Sequence, residues 1–345
     1  MSIFFLTLIL LDVIVLDMKK IFFVPILKTK CSAEPNAVAL CKQFFSNRVI
    51  PYLEITNTSD NKGYIKIIDI LQNQLHFEEI YRKKGSDINK ILQETYTLIK
   101  PNCIVSLHIL NQSELSNVFD ECKFFINTCH HNNCPCAIRV FAGADSTQIG
   151  ILLKLLKKKD FLIIDIGDSN LYSTKQYLDL VNSLSGCCRF LIFSNERPLS
   201  LTNSLLASDD YNPTFNTSVI EAIKKKDFEY DGFGSMCSAK NDLNEYPATK
   251  PTYAVFLLYD YFSNSFFSYK SDCKEHVSTA YSSLKVKITN DSSKVFSFTE
   301  KTAVAHNRLI ELLNSNKKGN ASTYICISII HYIEEIINNI IKSND

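Results

Sequence analysis

What most constrains the fold of this chain is a rhythm of short apolar runs separated by helix-length segments, kept up from residue 22 to residue 234. The opening pair sets the pattern. Phe22-Phe-Val-Pro-Ile-Leu-Lys28 and Val49-Ile-Pro-Tyr-Leu-Glu-Ile-Thr56 are apolar, carry a proline each, and place one charged side chain at or near their ends. Between them, Ser32 to Phe45 has helical apolar spacing, with Ser32 and Glu34 placed to cap its start.

Further strand-like runs follow at His76–Tyr81, Cys103–Leu110, Ala137–Ala142, Phe161–Ile166, Arg189–Ser194 and Tyr230–Gly234. Helical segments separate most of them: Ile65 to Gln74 (whose isoleucines also suit a strand), Asp87 to Ile99, Ser113 to Cys129, one capped by Asp145 or Ser146, Thr174 to Leu184, and one from Ser218 to Lys226. Strands alternating with helices call for a parallel sheet, and eight such units satisfy a (β/α)8 barrel. A doubly wound open sheet is the alternative. It is disfavoured because the first loop, Thr29-Lys-Cys-Ser32, holds none of the glycines of a phosphate-binding turn.

After the mostly polar stretch Ser238–Lys250 the rhythm breaks. Pro251 to Leu258 and Ser265 to Tyr269 form an expected β-hairpin, followed by helices near 274–284, 302–315 and 323–342. The last of these is isoleucine-rich and is expected to lay one face on the barrel or on another subunit. The expected divisions are an apolar N-terminal extension at 1–17, open between an over-long start or loose extension, an extra packed element and a membrane anchor, then a barrel at 18–248 and a hairpin-plus-helix unit at 249–345.

Basic and acidic residues number 37 and 36, so no overall field draws nucleic acid or an anionic membrane. The twelve cysteines are scattered, several of them inside apolar strand-like runs or helices, which reads as reduced thiols in a cytoplasmic protein. The apolar stretch Ile3–Leu16 has no basic residue before it and is too short for an ordinary membrane span.

Several short motifs carry a family likeness. Val24-Pro-Ile-Leu-Lys28 with Ile50-Pro-Tyr-Leu-Glu-Ile55, then Gly232-Phe-Gly-Ser-Met-Cys-Ser-Ala-Lys-Asn-Asp-Leu243, resemble the phage beta-protein family and its bacterial relatives. Phe256-Leu-Leu-Tyr-Asp260 and Asn264-Ser-Phe-Phe-Ser-Tyr269 are similar to the strands that follow in that family. The resemblance implies a barrel-like α/β domain of phage- or defence-associated type and names no reaction. Where the family pattern has Asp after Gly-Phe-Gly, this chain has Ser235.

In barrels the working face is the C-terminal end of the strands, so polar residues that end apolar runs matter most. Here they are Lys28, Glu54, His108, Arg139, Asp165, Asp168, Glu196 and Asp231. One reading is a site for a small anionic ligand held by Lys28, Arg139 and Asp231, with Glu54 and Asp165 as acid–base or metal-binding groups. The other is an ion-pair network closing the barrel interior, such as Glu54 with Arg139. A non-enzymatic reading also stands, in which the hairpin and last helix form a protein-partner or homo-oligomer surface.

Asp165-Ile-Gly-Asp168 offers two carboxylates at a strand end, but Asp and Gly are equally ordinary turn formers. Cys129-His-His-Asn-Asn-Cys-Pro-Cys136 holds zinc-competent groups crowded into one short stretch, without a second ligand pair farther along. That spacing reads as a loop with free thiols. No cofactor is named by the sequence, and no metal ligand set is assigned.

Overall fold

The computed structural model describes residues 21–29, 33–54, 62–80, 100, 102–185, 188–195, 218–237, 254–271 and 277–344. The apolar N-terminal stretch, the expected helix at 87–99 and Glu196 lie outside these residues.

The strands β1 (Phe22–Lys28), β2 (Tyr52–Glu54), β3 (His76–Glu79), β4 (Cys103–Ile109), β5 (Cys136–Phe141), β6 (Phe161–Gly167), β7 (Arg189–Ser194) and β8 (Gly232–Met236) pair in sequence order. Every pairing is parallel, and β8 returns to β1 through the register Phe22↔Gly232 to Ile26↔Met236. The sheet is therefore a closed (β/α)8 barrel. A strand buried on both faces has no polar side to show, which is why these segments read as unbroken apolar runs.

The helices between strands are α1 (Ala33–Cys41), α2 (Lys62–Leu71), α3 (Gln112–Asn117), α4 (Phe119–His131), α5 (Ser146–Leu153), α6 (Leu171–Ser185) and α7 (Ser218–Lys224). The single helix expected from Ser113 is two, broken at Val118, with Asn111 capping the first through Glu114 N–H at 2.9 Å. Asp145, rather than Ser146, caps α5 by accepting from Thr147 N–H.

Inside the barrel, Phe22, Tyr52, Phe77, Phe161 and Phe193 fill the bore together with aliphatic residues. β8 makes room for them. A Cβ on Gly234 would overlap the Phe193 ring, and one on Gly232 would stand 2.6 Å from Phe22 Cβ. The Gly-Phe-Gly run thus has a packing reason: Gly234 faces the Phe193 ring, Gly232 lies close against Phe22 and Leu191, and Phe233 points outward into the helix layer.

Beyond the barrel, β9 (Val255–Asp260) and β10 (Ser265–Lys270) form the expected antiparallel hairpin. They are followed by α8 (Val277–Asn290), α9 (Ser292–Thr299), α10 (Ala303–Asn314) and α11 (Ala321–Ile336), the last continuing as a π-helical turn over Ile337–Ile341. The expected one-faced last helix is corrected here. α11 is buried continuously from Cys326 to Ile336, against α1, β9 and α10. Tyr332 OH lies 2.8 Å from Ser235 Oγ, on the outer side of β8. α11 therefore occupies the place of the barrel's eighth helix. Its apolar stretch is long enough to cross a membrane, yet 83% of it is enclosed by the protein, the condition expected of a core helix that is apolar all round.

Candidate functional site

Along a strand, every second side chain shares a face. The bore is lined by Ile26, Tyr52, Phe77, Ile104, Ala137 and Ile163. Carrying that alternation to the C-terminal ends brings Lys28, Glu54, Glu79, His108, Arg139 and Asp165 to the same inner rim, one from each of β1 to β6. Six neighbouring strands thus set six ionisable side chains round one mouth, at the end where barrel sites form.

Arg139 sits at the centre and is 4% exposed. Its Nη1 donates to Glu79 Oε2 at 2.9 Å, while Nε and Nη2 donate to Asp165 Oδ2 at 3.1 and 2.5 Å. The guanidinium also lies 5.4 Å from the Tyr52 ring centre and 5.2 Å from that of Phe193. Glu79 Oε2 further accepts from Tyr52 OH at 2.6 Å and stands 3.4 Å from His108 Nδ1. Because the Tyr52 proton goes to Glu79, the Ser106 hydroxyl at 3.0 Å donates to Tyr52. The ion pair envisaged between Glu54 and Arg139 is replaced by Arg139 with Glu79 and Asp165.

These contacts divide the carboxylates. Burial pushes Glu79 up, but His108, Arg139 and Tyr52 outweigh it and hold its pKa at about 2. Asp165 is likewise lowered against the pull of burial, by Arg139 and His108. Glu54 goes the other way. Burial and the nearby Glu79 carboxylate raise its pKa, against Arg139, Lys28 and His108. Its Oε2 is buried without a hydrogen-bond partner, in a cluster where Glu79 and Asp165 each accept from Arg139.

The remaining sequence candidates fall elsewhere. Asp231 is corrected: it precedes β8, at the opposite end of the barrel, and accepts from Phe190 N–H at 2.7 Å. Asp168 is exposed and accepts from Asn195 Nδ2 at 3.1 Å. Asp165 does not pair with it in a metal-binding arrangement. Its Oδ1 accepts from Gly167 N–H at 2.8 Å, closing a turn in which Gly167 takes φ 55°, and its Oδ2 is held by Arg139. Glu79 and Tyr52, central to the cluster, are not among the strand-end residues that the sequence picks out. The signal that marks Glu79 is its place at the end of β3, on the same parity as Phe77.

No protein-family model matches the chain, and no curated protein matches it. Solved structures similar in fold include tryptophan synthase from M. tuberculosis. The aminoacrylate-bound form has 7% identity and a TM-score of 0.34, over 66% of this chain and 88% of that one. An open form has 8% identity and the same TM-score, over 67% and 88%. At that distance the likeness bears on no activity, and the barrel itself rests on the closed ladder of eight parallel strands.

Proposed function

We propose that this barrel binds a small polar ligand at its C-terminal mouth and moves a proton to or from it through Glu54. The observation that carries this reading is the buried, unpartnered Oε2 of Glu54 beside a carboxylate held ionised. Neighbouring carboxyls whose environments drive their pKa values apart are the usual arrangement of acid–base sites. Here Glu54 is the member driven toward its protonated form, and Glu79 and Asp165 are fixed anions that hold Arg139 in place. Arg139 is thereby a positioning residue, since its Nε, Nη1 and Nη2 all meet protein carboxylates.

Membership in the phage beta-protein family is proposed on the motifs at Val24–Lys28, Ile50–Ile55 and Gly232–Leu243. Buried cysteines that form no disulfide, Cys41, Cys103 and Cys129 among them, support a reducing compartment such as the cytoplasm. The interaction-protein reading has less to stand on, because α11 is enclosed. What is left of it is the hairpin turn, where Phe262 is 61% exposed.

The test is turnover in a mixed metabolite extract, followed by untargeted mass spectrometry with wild-type protein and Glu54→Gln. Metabolites consumed or formed by the wild type alone are the expected result. Indistinguishable profiles, with both proteins folded to the same Tm, would overturn the proposal.

A further inference from the structure

We infer that the opposite end of the barrel carries a zinc site built from Cys129, His130, Cys136 and Asp160. Three elements supply it: Cys129 and His130 lie in the last turn of α4, Cys136 opens β5, and Asp160 immediately precedes β6. His130, Cys136 and Asp160 each offer a ligand atom, all within 4.8 Å of one another. His130 Nε2 lies 2.7 Å from Asp160 Oδ2, and Cys136 Sγ lies 3.5 Å from Asp160 Oδ1. Cys129, buried one residue before His130, neighbours Cys136 but stands outside that group of three, and a turn of its side chain would bring a second thiol to the metal as the fourth donor. Two sulfurs, one imidazole and one carboxylate make a donor set suited to tetrahedral zinc.

The residues within 129–136 are by themselves too cramped for a coordination sphere. Tertiary structure supplies the missing distant ligand, Asp160, and removes two candidates from the stretch. Cys134 Sγ turns away to donate to Cys103 O at 3.3 Å, and His131 is exposed.

Asp160 is 1% exposed, and its carboxylate is aimed by backbone donors, Cys136 N–H at 3.1 Å and Lys157 N–H at 2.6 Å. Such outer-shell bonds are how metal ligands are held in place. Two thiolates and a carboxylate around Zn2+ leave a net charge of −1. Lys157, Lys158 and Lys159, which line a cleft of about 320 Å³ against His130 and Asp160, are placed to offset it. The other cluster of metal-competent groups, His76, Glu78 and Cys103, is less suited. There the Lys100 ammonium already stands 3.5 Å from Glu78, and Tyr64 OH donates to it at 2.7 Å. Structural metals belong at this N-terminal end, whose residues serve stability rather than catalysis.

The test uses the full-length protein, reduced, loaded with zinc sulfate and desalted, with metal measured by elemental mass spectrometry. On the order of one zinc per chain is expected, and cobalt(II) added to metal-free protein should give the thiolate charge-transfer and d–d bands of a tetrahedral site. Cys136→Ser and the half-buried His130→Gln should each weaken binding at least about tenfold. Absence of thiolate bands, or zinc retention equal in wild type and both variants, would overturn the inference. So would a Cys129–Cys136 disulfide in freshly purified protein.

Discussion

Glu54 and Glu79 stand on adjacent strands of the barrel rim, and their surroundings drive their carboxyls in opposite directions. The register Tyr52↔Phe77 and Leu53↔Glu78 sets them next in line. Two like charges that close cannot both ionise at no cost. The one that meets Arg139, His108 and Tyr52 keeps its charge, and the other is driven toward its protonated form.

This split has a pH signature. Glu79 has a folded pKa of about 2 against an ordinary 4.5, so the unfolded chain binds more protons between those values. Its contribution, about 3 kcal/mol at full extent, is present above pH 4.5 and lost as pH falls toward 2. Glu54 has the opposite sign: the folded state holds the extra proton, so stability declines as pH rises from 4.5 through its raised pKa. Urea titrations across pH should show Glu54→Gln abolishing the second limb while leaving the acid limb in place.

Removing Arg139 leaves Glu79 and Asp165 buried without their cation. Arg139→Ala should destabilise the fold by about 3–5 kcal/mol in chemical denaturation. Arg139→Lys should recover only part of this, because an ammonium cannot reproduce the fork that spans both carboxylates. Equal stability of Arg139→Ala and wild type would show that the cluster is not held by this residue.

Gly234 faces the Phe193 ring so closely that a methyl group has no room. Gly234→Ala should cost about 1–3 kcal/mol by overpacking. The double variant Gly234→Ala with Phe193→Leu should be less destabilised than the sum of the single changes, read as a double-mutant cycle in urea.

Ser235, where the resembled family has Asp, is fully buried on the outer side of β8 and meets Tyr332. Ser235→Asp would set a carboxylate between β8 and α11, away from the mouth. A loss of roughly 3 kcal/mol or more is expected from burying that charge. A gain in ligand binding or turnover would contradict the outward placement.

His331 is enclosed in α11, with Nε2 2.6 Å from Tyr259 O, and burial lowers its pKa to about 4 from 6.5. The unfolded chain therefore binds more protons between pH 6.5 and 4, and stability falls as pH drops through that window. The loss should approach about 3 kcal/mol near pH 4 and should be absent in His331→Gln, provided that variant folds; histidine NMR gives the same pKa directly.

Much of this molecule is written in one dimension. A strand sandwiched between bore and helices must be apolar on both faces, so the runs at Phe22, Cys103, Phe161 and Arg189 stand out, and their spacing dictates a barrel. The same parity rule marks Lys28, Glu54, Arg139 and Asp165 as rim residues. Choosing the polar residue that ends an apolar run fails at β3, where His76 and Glu78 face outward and Glu79 inward, so Glu79 does not stand out against its polar neighbours. It fails again at Asp231, because β8 begins only at Gly232 and the aspartate stands before the strand rather than after it.

The eightfold alternation and the polar residues that end its strands were legible from the chain alone, because both follow from local periodicity. Which charge meets which was settled in three dimensions. Folding paired Arg139 with Glu79 and Asp165 and left Glu54 Oε2 alone. It also brought Asp160 to the Cys129–Cys136 stretch and enclosed α11 as the eighth helix. Such choices depend on distances between strands and helices far apart in the chain, and burial magnifies their energies by withholding water from the charges.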